Sequence, residues 1–572
     1  MSIFRKVQVL PVVTVIQALL TGGAAPAHGQ VFLSDSTMIH RGGLFARINV
    51  AADPPQIEVP RLYNAALEFI DRNVVEGRGE QIALIDDSGC YTYRELCQRV
   101  NQAGHVLREA GAGMEQRVLL CLDSGIDLAS LFWGAVKIGA VPVPVNPSLA
   151  QDDYAGLISD SRPRVLAADP ERIRHFESTL YQQSLPCRLL TVDAGRCGAG
   201  DLARLMATAP VELKAAATTA DDTAFWLYTS GSTGSPKAVV HLHRSLIQTA
   251  VLFGQKVLGI GPSDRVFSAA KMFFAYGLGN SMSFPFAVGA TSIVSAGRPT
   301  AQNVLTVIDQ HRPTVFCGVP TLYHNLLNIV GVGEAELLAT LRLYVSAGEP
   351  LPESIGQRWQ ALSGRELIDG LGTTEMLQTF LSNRPGQVRY GTTGVAVPGY
   401  QIRLVNHTGT AVTPGEVGEL MVAGPSAGAG YWNRRAQSIR TFVGSWTRTG
   451  DQFFVGPDHA YRYCGRSDDM LKVGGIWVSP YELESLLIRH PLVAECAVVG
   501  QPDAGGLIKP KAFVVLKDST LAGDVAVDTL QRFAREHLAP YKYPRWIEFL
   551  DELPRTATGK VRRYWLREQL GL

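Results

Sequence analysis

From Pro60 onward, hydrophobic positions fall into two alternating patterns. Some stretches repeat apolar residues every three or four positions, the spacing of an amphipathic helix. Others are short apolar runs bounded by turn residues, as in buried strands. Residues 62–71 predict a helix with Leu62, Ala66, Leu67 and Ile70 on one face. QIALID at 81–86 predicts a strand, and Tyr93 to Ala110 an amphipathic helix opened by TYREL, with Leu96, Val100, Ala103 and Leu107 at helical spacing. RVLLCLD at 117–123 is a strand, LASLFWGAVKIGA at 128–140 a buried helix ending at Gly139, and PVPVN another strand. The alternation continues through FWLYTS, TSIVSA, TVFCGV, LRLYVSAG and ELIDGLGT. Such a sequence predicts an α/β protein whose mostly parallel sheets are covered on both faces.

YQIRLVN and GELMVAG, near residues 400–424, have antiparallel character. After Arg466 comes the charged segment SDDM. A unit of about one hundred residues follows, with its own strands (ECAVVGQ, KAFVVLK, RWIEFLD) and helices (PYELESLLIRH, DTLQRFAREHL). The expected organisation is an appended segment or leader over 1–55, a large domain over 56–466 and a small α+β domain over 467–572.

Composition narrows the class. At 572 residues and 46% hydrophobic, the chain is too long for one core and too apolar for disorder. Its 53 basic and 52 acidic residues nearly cancel, which argues against nucleic acid or an anionic membrane as partner. Eight scattered cysteines, with no CxxC pair, read as reduced thiols. No apolar run is long enough to span a bilayer. Arg5 and Lys6 before LPVVTVIQALL, followed by Ala25-Pro26-Ala27, have the outline of a signal peptide. A mis-started or appended leader, with Met38 a later start, fits a cytoplasmic enzyme better.

The strongest local feature is AFWLYTSGSTGSPKAVVHLHRSL. An apolar strand runs into Thr229, Ser230, Gly231, Ser232, Thr233, Gly234, Ser235, Pro236 and Lys237. Two glycines permit a tight turn and close approach of backbone to ligand. Hydroxyls and successive N–H groups suit phosphate oxygens, and Lys237 adds a cation. The Walker spacing fails, because Pro236 separates Ser235 from Lys237.

This loop resembles the phosphate loop of the adenylate-forming superfamily, which holds acyl-CoA synthetases, peptide-synthetase adenylation domains and luciferases. Gly370-Leu371-Gly372-Thr373-Thr374-Glu375 resembles its aromatic-Gly-x-Thr-Glu motif, with Leu371 where the family commonly has Tyr. Arg448-Thr449-Gly450-Asp451 resembles the ribose motif, and Tyr463-Cys464-Gly465-Arg466-Ser467-Asp468-Asp469 the hinge. Pro554-Arg555-Thr556-Ala557-Thr558-Gly559-Lys560 resembles the C-terminal lysine motif.

The resemblance implies a large domain of αβ sheets with a distorted β-barrel subdomain, and a mobile small domain. It implies ATP, Mg²⁺ and coenzyme A as reagents. Lys560 would bridge the acyl carboxylate and the α-phosphate, Thr374 would donate to the phosphate, and Glu375 would hold Mg²⁺. Asp451 and Arg466 would take the ribose. Gly348, Glu349, Pro350, Asp369, Gly370, Leu371, Gly372 and Thr373 would complete the ATP site. Rotation about Asp468 would then remove Lys560 and bring Lys472, Gly474 and Gly475 to a pantetheine tunnel.

Phe273-Phe274-Ala275-Tyr276-Gly277-Leu278-Gly279 resembles the stretch that lines the acyl site, most like that of benzoate–CoA ligases. Phe274, Ala275, Tyr276 and Gly277 would suit a flat aromatic acid. Benzoate ligases typically read TEMLHI where this chain reads TEMLQT, so Gln378 and Thr379 replace a His-Ile pair. A glutamine there has donors and acceptors that could meet a polar ring substituent, unless it faces solvent or protein groups already satisfy it. A hydroxy- or aminobenzoate therefore stands beside benzoate. The same motifs are compatible with transfer of the acyl group to a separate carrier protein, whereas a nucleotide-binding protein without catalysis would have lost Lys560, Glu375 or Asp451, and all three are present. A monomer or homodimer is expected.

Overall fold

Six parallel strands form the spine of a nine-stranded sheet in this computed structural model. Its described residues are 43–149, 151–192, 201–230, 236–473, 476–504, 506–555 and 561–570. The parallel order is Ile82–Asp86, Thr291–Ile293, Arg265–Ser268, Val315–Gly318, Leu343–Ala347 and Leu367–Gly372. Antiparallel strands close both edges: Gly89–Thr92 on one side, Thr379–Ser382 and Val395–Ala396 on the other. Alternation along each strand assigns its side chains to two cores. Val315, Cys317, Val345 and Ile368 join one, and Phe316, Tyr344 and Leu367 the other, around Trp359. Because both faces are covered, the central strands read as continuous apolar runs.

A second, wholly parallel sheet runs Val141–Pro144, Arg117–Cys121, Val165–Ala168, Arg188–Thr191. Helices Tyr93–Glu109 and Ile126–Lys137 pack in the main core. The first begins where the sequence signals it: Thr92 accepts from the Glu95 N–H, and the Glu95 carboxylate accepts from the Thr92 N–H. Gly139 lies beyond the second helix at φ +76°, in the left-handed region that ends helices.

The expected helix over 62–71 starts later. Leu62 bridges Thr219 and is 40% exposed, so it belongs to no helical face. The Asn64 side chain accepts from the Ala66 N–H at 3.0 Å and donates to the Val136 carbonyl, and the helix starts there. It passes through a π-helical turn, Leu67–Asp71. The fold also engages residues before 56. Arg47–Asn49 pairs with Gln56–Glu58, and the Ala46 N–H donates to buried Glu68 at 2.8 Å. The signal-like stretch lies outside the described residues.

Strands Gln401–Val405, Gly418–Ala423, Phe442–Val443, Trp446–Val455 and Tyr461–Arg466 form an antiparallel sheet. Beyond it, Val493–Pro502, Ile508–Leu516 and Trp546–Phe549 make a three-stranded sheet, flanked by helices Pro480–Leu487 and Asp524–His537 around a separate core. Among the described residues no helix is long and apolar enough to cross a membrane. The seven described cysteines are free thiols.

Candidate active site

Strand Thr223–Ser230 carries Thr229 and Ser230 to the hydroxyl-rich loop, and strand Pro236–Leu242 brings the chain back. Lys237 pairs with Thr229 across the two strands, so the loop's ends stand opposite each other. Gly231, Ser232, Thr233, Gly234 and Ser235 lie outside the described residues. The Lys237 ammonium sits 4.7 Å from the centroid of the Tyr431 ring, within range of a cation–π contact. Tyr431 is placed by its own pairing with Val239.

The second element is the turn after strand Leu367–Gly372. The Thr373 hydroxyl accepts from the Met376 N–H and opens a short 3₁₀ turn, Thr374–Met376. Gly372 faces the backbone of Gln378 so closely that a β-carbon would lie 2.7 Å from it. Glu375 Oε1 accepts from the Tyr431 hydroxyl at 2.6 Å, and the Glu375 carbonyl accepts from the Gly428 N–H at 2.8 Å. Burial, then the Glu375 charge, push the Tyr431 hydroxyl up, so it stays a donor. Behind the turn, His241 is buried, stacked on Phe225 at 4.9 Å and facing the Thr374 backbone. Burial pushes this imidazole down to about 3, so its ring is neutral.

Asp451 and Arg466 face each other across paired strands. Their side chains meet at 3.2 Å, and the guanidinium also donates to the Thr449 carbonyl. Asp468 lies 3.6 Å from the same guanidinium. Gly348 follows strand Leu343–Ala347 at φ +91°, and Glu349 accepts from the Thr321 hydroxyl at 2.8 Å. Pro350 comes next in the chain. Asp369 sits beside Ser346 in the sheet. Its Oδ1 has no hydrogen-bond partner among the described residues, and burial pushes its carboxyl well above the usual range.

Phe274 precedes the short helix Ala275–Leu278. The Tyr276 hydroxyl donates to the Val345 carbonyl at 3.2 Å. Gly277 packs on the carbonyls of Ala270 and Lys271 with no room for a side chain. Gln378 is held on both sides of its amide. Its amide nitrogen donates to the carbonyls of Tyr276 at 3.1 Å and Ala275 at 3.4 Å. Its oxygen accepts from the N–H and hydroxyl of Thr379 at 2.9 and 3.1 Å. Both the nitrogen and the oxygen of the amide thus have protein partners, which is the second of the two alternatives the sequence leaves open for this glutamine.

These elements meet. Tyr431 joins Lys237 to Glu375 and feels the charge of Arg466, while Gln378, three residues after Glu375, ties the same turn to Tyr276. Lys472 is on strand Leu471–Val473, whose hairpin partner is Ile476–Val478; Gly474, Gly475 and Lys560 lie outside the described residues. The small unit reaches the large one through Tyr481, whose hydroxyl donates to the Leu351 carbonyl at 3.4 Å and whose ring meets Tyr463. Sequence reasoning passed over Tyr431 and His241. Gly430-Tyr431 after a glycine-rich stretch was the available signal for the former; a lone apolar-strand histidine gave none for the latter.

The chain belongs to the AMP-binding enzyme family. Residues 71–432 match the AMP-binding enzyme, and residues 482–560 match the AMP-binding enzyme C-terminal domain. It is 50% identical to benzoate–CoA ligase of Thauera aromatica, over 90% of this chain and 97% of that protein. It is 46% identical to a 4-hydroxybenzoate–CoA/benzoate–CoA ligase of Rhodopseudomonas palustris, over 89% and 94%. A solved benzoate CoA ligase from Burkholderia xenovorans superposes with a TM-score of 0.82 at 45% identity, covering 88% of this chain and all of that one. An anthranilate CoA ligase solved with anthranoyl-AMP gives 0.84 at 39%, covering 90% and 98%.

Proposed function

We propose that this chain is an AMP-forming aryl acid–CoA ligase acting on benzoate. The observation that carries the proposal is the 50% identity to a benzoate–CoA ligase across 97% of that protein. The clustering of Lys237, Tyr431, Glu375 and the Asp451–Arg466 pair supports it.

A carboxylate is a poor electrophile. In the first step a benzoate oxygen attacks the α-phosphorus of ATP, and the bond to pyrophosphate breaks. Two anions must approach, so cations and donors aimed at the developing charge lower the barrier. Lys237 supplies one cation beside the phosphate loop, and Lys560 is assigned the α-phosphate and acyl carboxylate. Thr374 donates to phosphate, and Asp451 and Arg466 hold the ribose. In the second step the CoA sulfur attacks the acyl carbon of benzoyl-AMP and AMP leaves, after rotation about Asp468 brings Lys472, Gly474 and Gly475 inward. Asp369, whose Oδ1 has no partner among the described residues, completes the ATP site with 348–350 and 370–373.

Glu375 fits a magnesium ion. Its carboxylate is a hard oxygen donor, and the bond from Tyr431 engages only Oε1. No cluster of three metal-ligating side chains exists among the described residues, so the ion would draw further ligands from the nucleotide phosphates. Bound there, it would neutralise phosphate charge.

The second candidate is a hydroxy- or aminobenzoate, favoured by the fold match to an anthranilate CoA ligase. Phe274, Ala275, Tyr276, Gly277 and Thr379 are the assigned ring contacts. Ranking benzoate, its hydroxy- and aminobenzoate derivatives and aliphatic acids by kcat/KM with ATP and CoA tests the proposal. Benzoate should lead; a leading aliphatic acid would refute it.

A further inference from the structure

Tyr431 stands between two groups whose separation the adenylation step must fix. Its hydroxyl donates to Glu375 Oε1 at 2.6 Å, and its ring lies under the Lys237 ammonium at 4.7 Å. The residue is only 7% exposed. Three contacts hold it in place. Its backbone pairs with Val239 on the strand that leaves the phosphate loop. Its N–H donates to the Ser438 hydroxyl at 3.0 Å. Its ring packs edge-on against Phe442 at 5.4 Å. Lys237 and Val239 are two positions apart on one strand, so the lysine and the tyrosine's backbone anchor share one strand face.

We propose that Tyr431 is a positioning residue for the metal–nucleotide complex. Its hydroxyl occupies Oε1 of Glu375 and would leave Oε2 as the oxygen for a divalent cation. Its ring holds the Lys237 ammonium beside the phosphate loop and keeps it off the Glu375 carboxylate. Without the ring, the lysine and the glutamate would be free to pair directly, which would remove both from the nucleotide. The proposal rests on the assignment of this site to ATP and its divalent cation.

The test is equilibrium binding, with Mn²⁺ followed by electron paramagnetic resonance, in the full chain and two variants. Tyr431→Phe keeps the ring and loses the hydroxyl. It should weaken binding of Mn²⁺·ATP roughly tenfold, the scale of one lost hydrogen bond to a charged group, and leave metal-free ATP binding within about twofold. Tyr431→Leu should weaken both, because the cation also loses its aromatic seat. A purely structural role would lower both affinities together in both variants, and that result would overturn the proposal. Unchanged Mn²⁺·ATP affinity in Tyr431→Phe would overturn it too. If the unaltered chain fails to bind Mn²⁺·ATP, the assignment of the site to ATP falls, and this inference with it.

Discussion

The amide of Gln378 fills the space that a β-carbon on Gly279 would need. Its nitrogen is the nearest atom to that position, well inside contact distance, with its Cδ and Cγ at 3.0 Å. The glutamine thereby clamps the Ala275–Tyr276 segment by its carbonyls from one side and requires glycine on the other.

Gly279→Ala should therefore be destabilising by about 1–3 kcal/mol, the range for overpacking a close-packed core. Gln378→Ala removes the obstruction but loses the amide's bonds to the Tyr276 carbonyl and from Thr379, at a similar cost. The double variant should be more stable than the sum of the two, with a coupling of about 0.5–3 kcal/mol, measurable by denaturant unfolding. Strict additivity would mean that the two residues do not touch.

Gln378→Leu tests whether this position reads the ring. All four of the amide's hydrogen bonds end on protein, so kcat/KM should fall about tenfold for benzoate and hydroxybenzoates alike. The ratio between substrates should stay within about twofold. A tenfold change of ratio would return the residue to the substrate's surroundings.

Much of the architecture was legible because burial writes itself into the sequence. The run LRLYVSA became strand Leu343–Ala347 with every residue buried, and TYREL became a capped helix start. Helix boundaries were less legible where tertiary contacts decide them: Leu62 looks helical by spacing, yet it bridges Thr219 and the next N–H, that of Tyr63, donates to the Thr218 carbonyl. The motifs singled out Glu375, Asp451 and Arg466 as candidates. They could not disclose that Gln378 is satisfied by residues one hundred positions away, nor that Tyr431 bridges Lys237 and Glu375, because spatial partners distant in sequence leave no periodic trace.

His243 sets an acid limit on stability. Its Nδ1 accepts from the Ala65 N–H at 3.1 Å, and burial pushes the imidazole down from 6.5 to about 4. Below pH 6.5 the unfolded histidine takes up a proton that the folded one refuses. Stability from this group is thus complete above 6.5 and declines as pH falls toward 4, by up to about 1.4 kcal/mol per pH unit. His243→Gln keeps an acceptor that does not titrate. Its unfolding free energy should fall less than that of the unaltered chain between pH 6.5 and 4.5; identical slopes would show that His243 contributes nothing.

The two half-reactions should separate by mutation. Lys560→Ala should lose adenylate formation by a factor of about a hundred or more while CoA transfer from supplied benzoyl-AMP persists. Asp468→Pro should do the reverse, because proline fixes φ where the chain must pivot. Rapid-quench assay of each step, run separately, distinguishes them. Equal loss in both steps for either variant would contradict the two-conformation scheme.

Exchange of labelled pyrophosphate into ATP, with benzoate and without CoA, tests the adenylation chemistry most directly. Reversible formation of benzoyl-AMP requires label to enter ATP only when the aryl acid is present, at a rate independent of CoA. Label entering ATP without the acid, or none entering until CoA is added, would contradict an enzyme-bound acyl-adenylate as the first product.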